Sequence, residues 1–197
     1  QKASAEISEK TGGDIAYEIC DLRDIDALRD CFAKLEARLG SAQVLVNNAA
    51  RDDRHDWSDL TPDYWDDRMN TNLRHMFFAI QAAAPGLIAA GGGSIINFSS
   101  ISYMMGNAGY SAYVTANAGI TGMTRAHARE LGPDGIRVNA LAPGWVLTQK
   151  QLDKWATPEG LEAHLERQCL KEHLAPQDIV DATLFLSSGS SRMITGQ

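Results

Sequence analysis

Cysteine is scarce in this chain, with only Cys20, Cys31 and Cys169 among 197 residues. They have neither metal-ligand nor redox spacing, and an odd, scattered set fits buried thiols in a reducing cytoplasm better than a disulfide framework. Long apolar runs are missing too. None approaches the roughly 18 residues of a membrane span, and no signal peptide is legible at Gln1. Positive charge is in deficit: 18 Lys and Arg stand against 25 Asp and Glu, a net charge of −7. That balance argues against nucleic acid or an anionic membrane as the main partner. Repeats, linkers and low-complexity segments are absent, which leaves one domain over residues 1–197. With 44% hydrophobic and 22% charged residues, the composition is that of an ordinary globular protein with a sizeable core.

What is present is an alternation of strand-like and helix-like segments. Residues 2–10 read as a helix end before the turn Thr11-Gly12-Gly13, and residues 15–20 alternate like a short strand. Asp24 is a good N-cap for a helix with the stripe Ile25, Leu28, Phe32, Leu35 and Leu39, and Gly40 suits its stop. Gln43-Val44-Leu45-Val46 is a buried-strand run, followed by Asn47-Asn48-Ala49-Ala50. Small residues there allow a ligand to approach closely, or mark a plain strand-to-loop transition. The polar loop 51–56 lacks ligand spacing and reads as solvated or substrate-proximal. Thr61-Pro62 opens a long helix with a broad apolar face, in which Asn72 reads as a satisfied buried amide. Gly91-Gly92-Gly93 is a turn, since no Lys-Ser/Thr follows and a strand comes next. A further strand spans 136–141, residues 147–174 are helical with interruptions, and Pro176 begins a last amphipathic helix at 179–186. Strands alternating with helices predict an α/β fold with a parallel sheet, whose ligands bind at the carboxyl ends of the strands.

The chemistry concentrates in residues 93–117, GSIINFSSISYMMGNAGYSAYVTAN. The apolar run Ile95, Ile96 and Phe98 is a buried strand, and a helix runs from Tyr113 to Leu131. Tyr113 and Asn117 share a helix face, so the hydroxyl of Ser100 at the strand's end can be brought towards the Tyr113 phenol. That arrangement is a candidate proton-transfer site.

These residues resemble the short-chain dehydrogenase/reductases, which place a catalytic Ser thirteen residues before the Tyr of Y-x-x-x-K. Ser100 fits that spacing and Ser99 does not. Along the chain, Asp21-Leu22 resembles the family's adenine-holding pair, and NNAA at 47–50 its NNAG, with Ala50 for Gly. Asn72 in MNTNLRH resembles its helix asparagine, and LAPGWVLT at 141–148 its PG segment. The wording of NNAARDDRHDW, PGWVLTQKQL and SRMITGQ looks closest to its aldose 1-dehydrogenases, of galactose, arabinose or xylose type.

The resemblance implies a Rossmann-like doubly wound parallel sheet, NAD or NADP as cofactor, an alcohol or sugar as substrate, and a homo-oligomer (dimer or tetramer). It implies oxidation of a sugar C1 hydroxyl to a lactone. Tyr113 is then the base, Ser100 holds the substrate oxygen and Asn72 holds a relay water. Asn48, Ala49, Tyr113, Pro143, Gly144, Val146 and Thr148 border the cofactor, and Ser102 and Trp145 touch the sugar.

Two departures bear on activity. Asn117 stands where the family has its lysine, so the positive charge that favours phenolate is missing and the site is expected to be impaired. The Gly-rich phosphate loop, the family's first two strands and its last strand are expected outside residues 1–197, with the segment that selects NAD or NADP. The competing readings are a non-catalytic scaffold or binding subunit of the same fold, and a dehydrogenase of a 3-oxoacyl or steroid substrate.

Overall fold

Three parallel strands organise the computed structural model, which describes residues 2–197. They are β1 (Val44–Asn47), β2 (Gly93–Phe98) and β3 (Ile136–Leu141), adjacent in that order. Val44 pairs with Ser94, and Gly93 with Ile136, so the carboxyl ends lie at one edge. Around the sheet run α1 (Lys2–Thr11), α2 (Ile25–Leu39), α3 (Pro62–Met69), α4 (His75–Ala89), α5 (Ser111–Leu131), α6 (Gln149–Lys154), α7 (Pro158–Arg167) and α8 (Pro176–Ser187). No helix among the described residues is long and apolar enough to cross a membrane.

Local chemistry sets the helix starts. The Asp24 carboxylate accepts the amides of Asp26 and Ala27, and Thr61 caps α3 through the Tyr64 amide with Pro62 in the first turn. One sheet face is sealed by α4 and α5: Ile80, Ala83 and Leu87 meet Ile95, Ile136, Val138 and Ala128, with Phe32 of α2 packed against them. The other face carries α8, held where Ser94 and Arg137 donate to the Leu186 carbonyl at 2.8 Å. At the strands' lower end two turns touch. Gly92 has φ +128°, and a Cβ there would lie 2.6 Å from the Gly135 carbonyl, so the turn read from the three glycines admits no side chain at its middle position.

Residues 15–20 are the main difference from the sequence reading. They form no strand: among the described residues nothing pairs with them, and Ile19 is 89% exposed. Alternation gives a strand its two faces, but only a neighbour's ladder makes it a strand. Val44 and Val46 on β1 are likewise more than one-third exposed. At the opposite edge, residues 194–197 run beside β3: the Gly196 amide donates to Val138 at 2.8 Å and Ala140 to Gln197 at 2.7 Å. The expected single helix from Thr61 is interrupted by a π-helical turn at Asn70–Arg74. Cys20 and Cys31, unremarkable in spacing, meet in the fold, and burial followed by the neighbouring thiol pushes Cys20 up to about 11.

A buried polar ladder crosses the sheet beneath the carboxyl ends. Asn47 donates to Asn97 at 2.9 Å, and Asn97 to the Thr124 hydroxyl of α5 at 3.0 Å. Asn97→Leu leaves two buried groups without partners, and is expected to cost about 2–5 kcal/mol. The check is a lower urea midpoint at unchanged slope.

Candidate active site

At the carboxyl ends of β2 and β3 the chain leaves the sheet as Ser99-Ser100 and Ala142-Pro143-Gly144, and a cleft of about 600 Å³ opens between them. Ser99 is the anchor of this corner. Its buried hydroxyl donates to the Asn117 carbonyl at 3.0 Å, tying β2 to the first turns of α5. Close packing makes that possible: Ala112, Ala116 and Ile120 are buried, and Gly119 lies so near Leu73 of the π turn that a Cβ would meet it at 2.9 Å. Ser100 begins a short 3₁₀ turn at Ile101–Tyr103, its oxygen accepting the Ser102 amide at 3.2 Å. From there its hydroxyl lies close enough to the Tyr113 phenol to favour the ionised form. The helix begins at Ser111, two residues earlier than read from sequence.

Burial raises the Tyr113 pKa above the ordinary phenol value. Hydrogen bonding from Ser100 and Asn117 opposes the rise, and the negative charge of Asp52 adds to it. No cation offsets these effects. Asn117 is 3% exposed and spends its amide nitrogen on the Tyr113 carbonyl at 2.9 Å, one turn back.

Most of the expected site residues converge here. Ser100, Ser102, Tyr113, Asn117, Asn48 and Trp145 line the cleft, as do Pro143, Gly144, Val146 and Thr148. Four others lie elsewhere. Ala49 is exposed and is not part of the lining. Asp21 and Leu22 sit before α2, where the Arg23 guanidinium holds the Asp21 carboxyl down to about 2. Asn72 lies behind the cleft, 1% exposed, in the π turn, a kind of bulge that often marks functional sites. It is only half satisfied: Oδ1 accepts the Arg51 amide at 2.7 Å, while Nδ2 has no partner.

The loop 51–56, read as solvated or substrate-proximal, forms the cleft's outer wall. Three of its residues are tied to the body of the protein, Arg51 through its backbone amide alone. Arg51 is bound to Asn72, Asp53 pairs with buried Arg68, and His55 meets the Tyr64 and Ser111 hydroxyls at 3.3 Å. Asp52 and Arg54 line the cleft, and Asp56 caps the next 3₁₀ turn.

The apolar side of the cleft runs on into a groove of about 430 Å³ between β1, β2 and α8. Phe98, Pro143 and Val146 belong to both, and Val46 and Ile179 extend it. A flat aromatic amide fits between such apolar walls and the backbone of residues 143–148. The ribose side fits less well, because Asn117 is short and uncharged and one of its two amide donors is on the Tyr113 carbonyl.

The comparisons bear on this geometry. A family model described as Enoyl-(Acyl carrier protein) reductase matches residues 1–197. The D-xylose 1-dehydrogenase of Caulobacter vibrioides is 49% identical over 180 residues, covering 91% of this chain and 71% of that protein. This chain belongs to the short-chain dehydrogenase/reductase family. The Rhizobium meliloti protein named probable galactose dehydrogenase GalD is 46% identical, covering 97% of this chain and 75% of its own length. A short-chain type dehydrogenase/reductase structure from Mycobacterium ulcerans superposes with a TM-score of 0.93 over 100% of this chain and 72% of that one; at 23% identity this shows the fold alone. The Rossmann-like assignment therefore holds, and the homologues are oxidoreductases, sugar dehydrogenases among them. Dehydrogenases of this family generally use NAD or NADP.

The Asn72 contact gives a direct test of how the wall is held. Asn72→Ala removes the acceptor of the Arg51 amide and is expected to destabilise by about 1–3 kcal/mol. Hydrogen exchange is expected to quicken at Arg51 and through residues 51–55, with β2 unchanged.

Proposed function

We propose that the cleft belongs to a nicotinamide-dependent dehydrogenase that oxidises the C1 hydroxyl of an aldose to a lactone. The observation that carries this reading is that Ser100 and Tyr113 line one cleft at the strand ends, with the serine near enough to the phenol to influence its ionisation. The aldose dehydrogenases among the relatives support the substrate class. Ser100 would hold the substrate oxygen, and Tyr113, once deprotonated, would accept its proton. A bound nicotinamide would supply the other half of the reaction by accepting hydride from the same carbon. The apolar groove excludes water along one side of that carbon, and backbone groups of residues 143–148 would orient the carboxamide. Asn72, whose buried Nδ2 has no partner, would hold the relay water.

The weak part is the base. A general base works best with a pKa near the operating pH, and Tyr113 is displaced the other way. A neutral amide bound to its own helix cannot restore the balance, and that observation favours a second reading, a binding subunit that keeps the scaffold and the sugar cleft.

Asn117→Lys separates the two. Assayed in the full-length protein with NAD and NADP against galactose, arabinose and xylose, the lysine variant is expected to gain on the order of 10²–10⁴ in kcat. Its rising pH limb should move to lower pH, because the added cation favours phenolate. Equal activity in both proteins would reject this account of residue 117. Inactivity in both, with sugar binding retained, would favour the binding subunit.

A further inference from the structure

The outer wall of the cleft holds polar groups that the proton-transfer chemistry does not use. Asp52 is the one carboxylate of the lining, and its side chain is 19% exposed. It is fixed from α6: Gln151 donates to Oδ2 at 2.9 Å, and the Lys150 ammonium lies 3.4 Å from Oδ1. The Asp52 backbone amide is a third donor, and of the four acceptor sites on the two carboxylate oxygens one remains open. Gln151 is fixed in turn, because its Oε1 accepts the Trp145 indole N–H at 2.9 Å. The indole's donor is therefore spent, and His164 packs edge-on against the ring at 5.4 Å.

Arg54 is the complementary group. Its guanidinium carbon lies 3.8 Å from the centre of the Tyr110 ring and 5.3 Å from that of Trp155. Between these rings it is held in place, yet it forms no hydrogen bond or ion pair among the described residues, so its five N–H groups are unspent. Tyr110 stacks on Tyr113 at 5.6 Å, which ties the guanidinium to the reacting phenol through one intervening ring. A third open group lies nearby in sequence to the catalytic serine. Ser102 is 3% exposed, lines the cleft, and its hydroxyl has no partner.

Resting on the aldose reading, we infer that Asp52, Arg54 and Ser102 form a recognition subsite for the ring hydroxyls that do not react, with the Trp145 ring against the sugar's C–H face. A fixed acceptor, a fixed donor and a group that does both match adjacent hydroxyls, each of which donates and accepts. An aromatic ring without a free donor offers the apolar contact such a ring face needs. The substrate class is an uncharged polyhydroxylated ring. Acyl and steroid substrates would leave Asp52 and Ser102 unpaired, at a cost in binding. The inward anchoring of Arg51, Asp53 and His55 holds the two recognition residues in register.

The test compares two ligands by saturation-transfer NMR: D-xylose, and tetrahydropyran-2-ol, which keeps the ring oxygen and the reacting hydroxyl but no others. The wild-type protein is expected to bind xylose more tightly. Asp52→Asn and Arg54→Met, each checked for fold by circular dichroism, should each weaken xylose by on the order of tenfold to a hundredfold while changing tetrahydropyran-2-ol less than twofold. Xylose binding that survives both substitutions overturns the subsite and leaves the aldose reading standing. Parallel loss of both ligands also overturns it, since it marks a structural role for the wall. Wild-type protein that binds neither ligand overturns the subsite and the aldose reading together.

Discussion

Everything at this site depends on how α5 is seated against the end of β2. Two buried contacts do it: Ser99 donates to the Asn117 carbonyl, and Asn97 donates to Thr124 almost two turns further on. Hydrogen bonds in a dry interior are directional and costly to leave unmade, so together they fix both the rotation and the slide of the helix. Apolar packing alone could tolerate a shift along the small-residue face of Ala112, Ala116 and Gly119. The polar pair cannot. With that seat fixed, Ser100 meets Tyr113, Tyr110 stacks behind it, and Arg54 stacks on Tyr110.

The same seating explains the consequence of Asn117. A residue one turn after Tyr113 on a buried helix face looks directly at the phenol's surroundings, so its charge decides how readily the phenol ionises. Here the side chain is short and neutral, and it turns back to its own helix. Burial and Asp52 then act on Tyr113 unopposed by any cation. The cleft brings Ser100 and Tyr113 together with no cation beside the phenol. Asp52 therefore acts twice, as an acceptor in the cleft and as a charge that makes phenolate harder to form.

Much of this was legible in the sequence, for identifiable reasons. Strong periodicity and explicit caps marked the elements: Asp24, Thr61-Pro62 and the run at 93–98 each became what their chemistry required. The Ser100–Tyr113 spacing and the PG segment located the cleft because both fall at strand ends. Tertiary facts were not legible. Alternation at 15–20 could not reveal that no strand would lie beside it. The π turn at Asn70–Arg74 follows from packing against Gly119, which has no local signature. Loop 51–56 lacks metal spacing and read as solvated or substrate-proximal, but nothing local showed that Asn72, Arg68 and Ser111 would hold it.

The most direct measurement is the titration of Tyr113 itself, followed by NMR of ring-labelled tyrosine and assigned with Tyr113→Phe. Burial beside Asp52 with no adjacent cation predicts a midpoint above the ordinary phenol value of about 10. A midpoint at or below about 8, the range suited to a general base at neutral pH, would contradict the account and require a source of positive charge at Tyr113 other than residue 117.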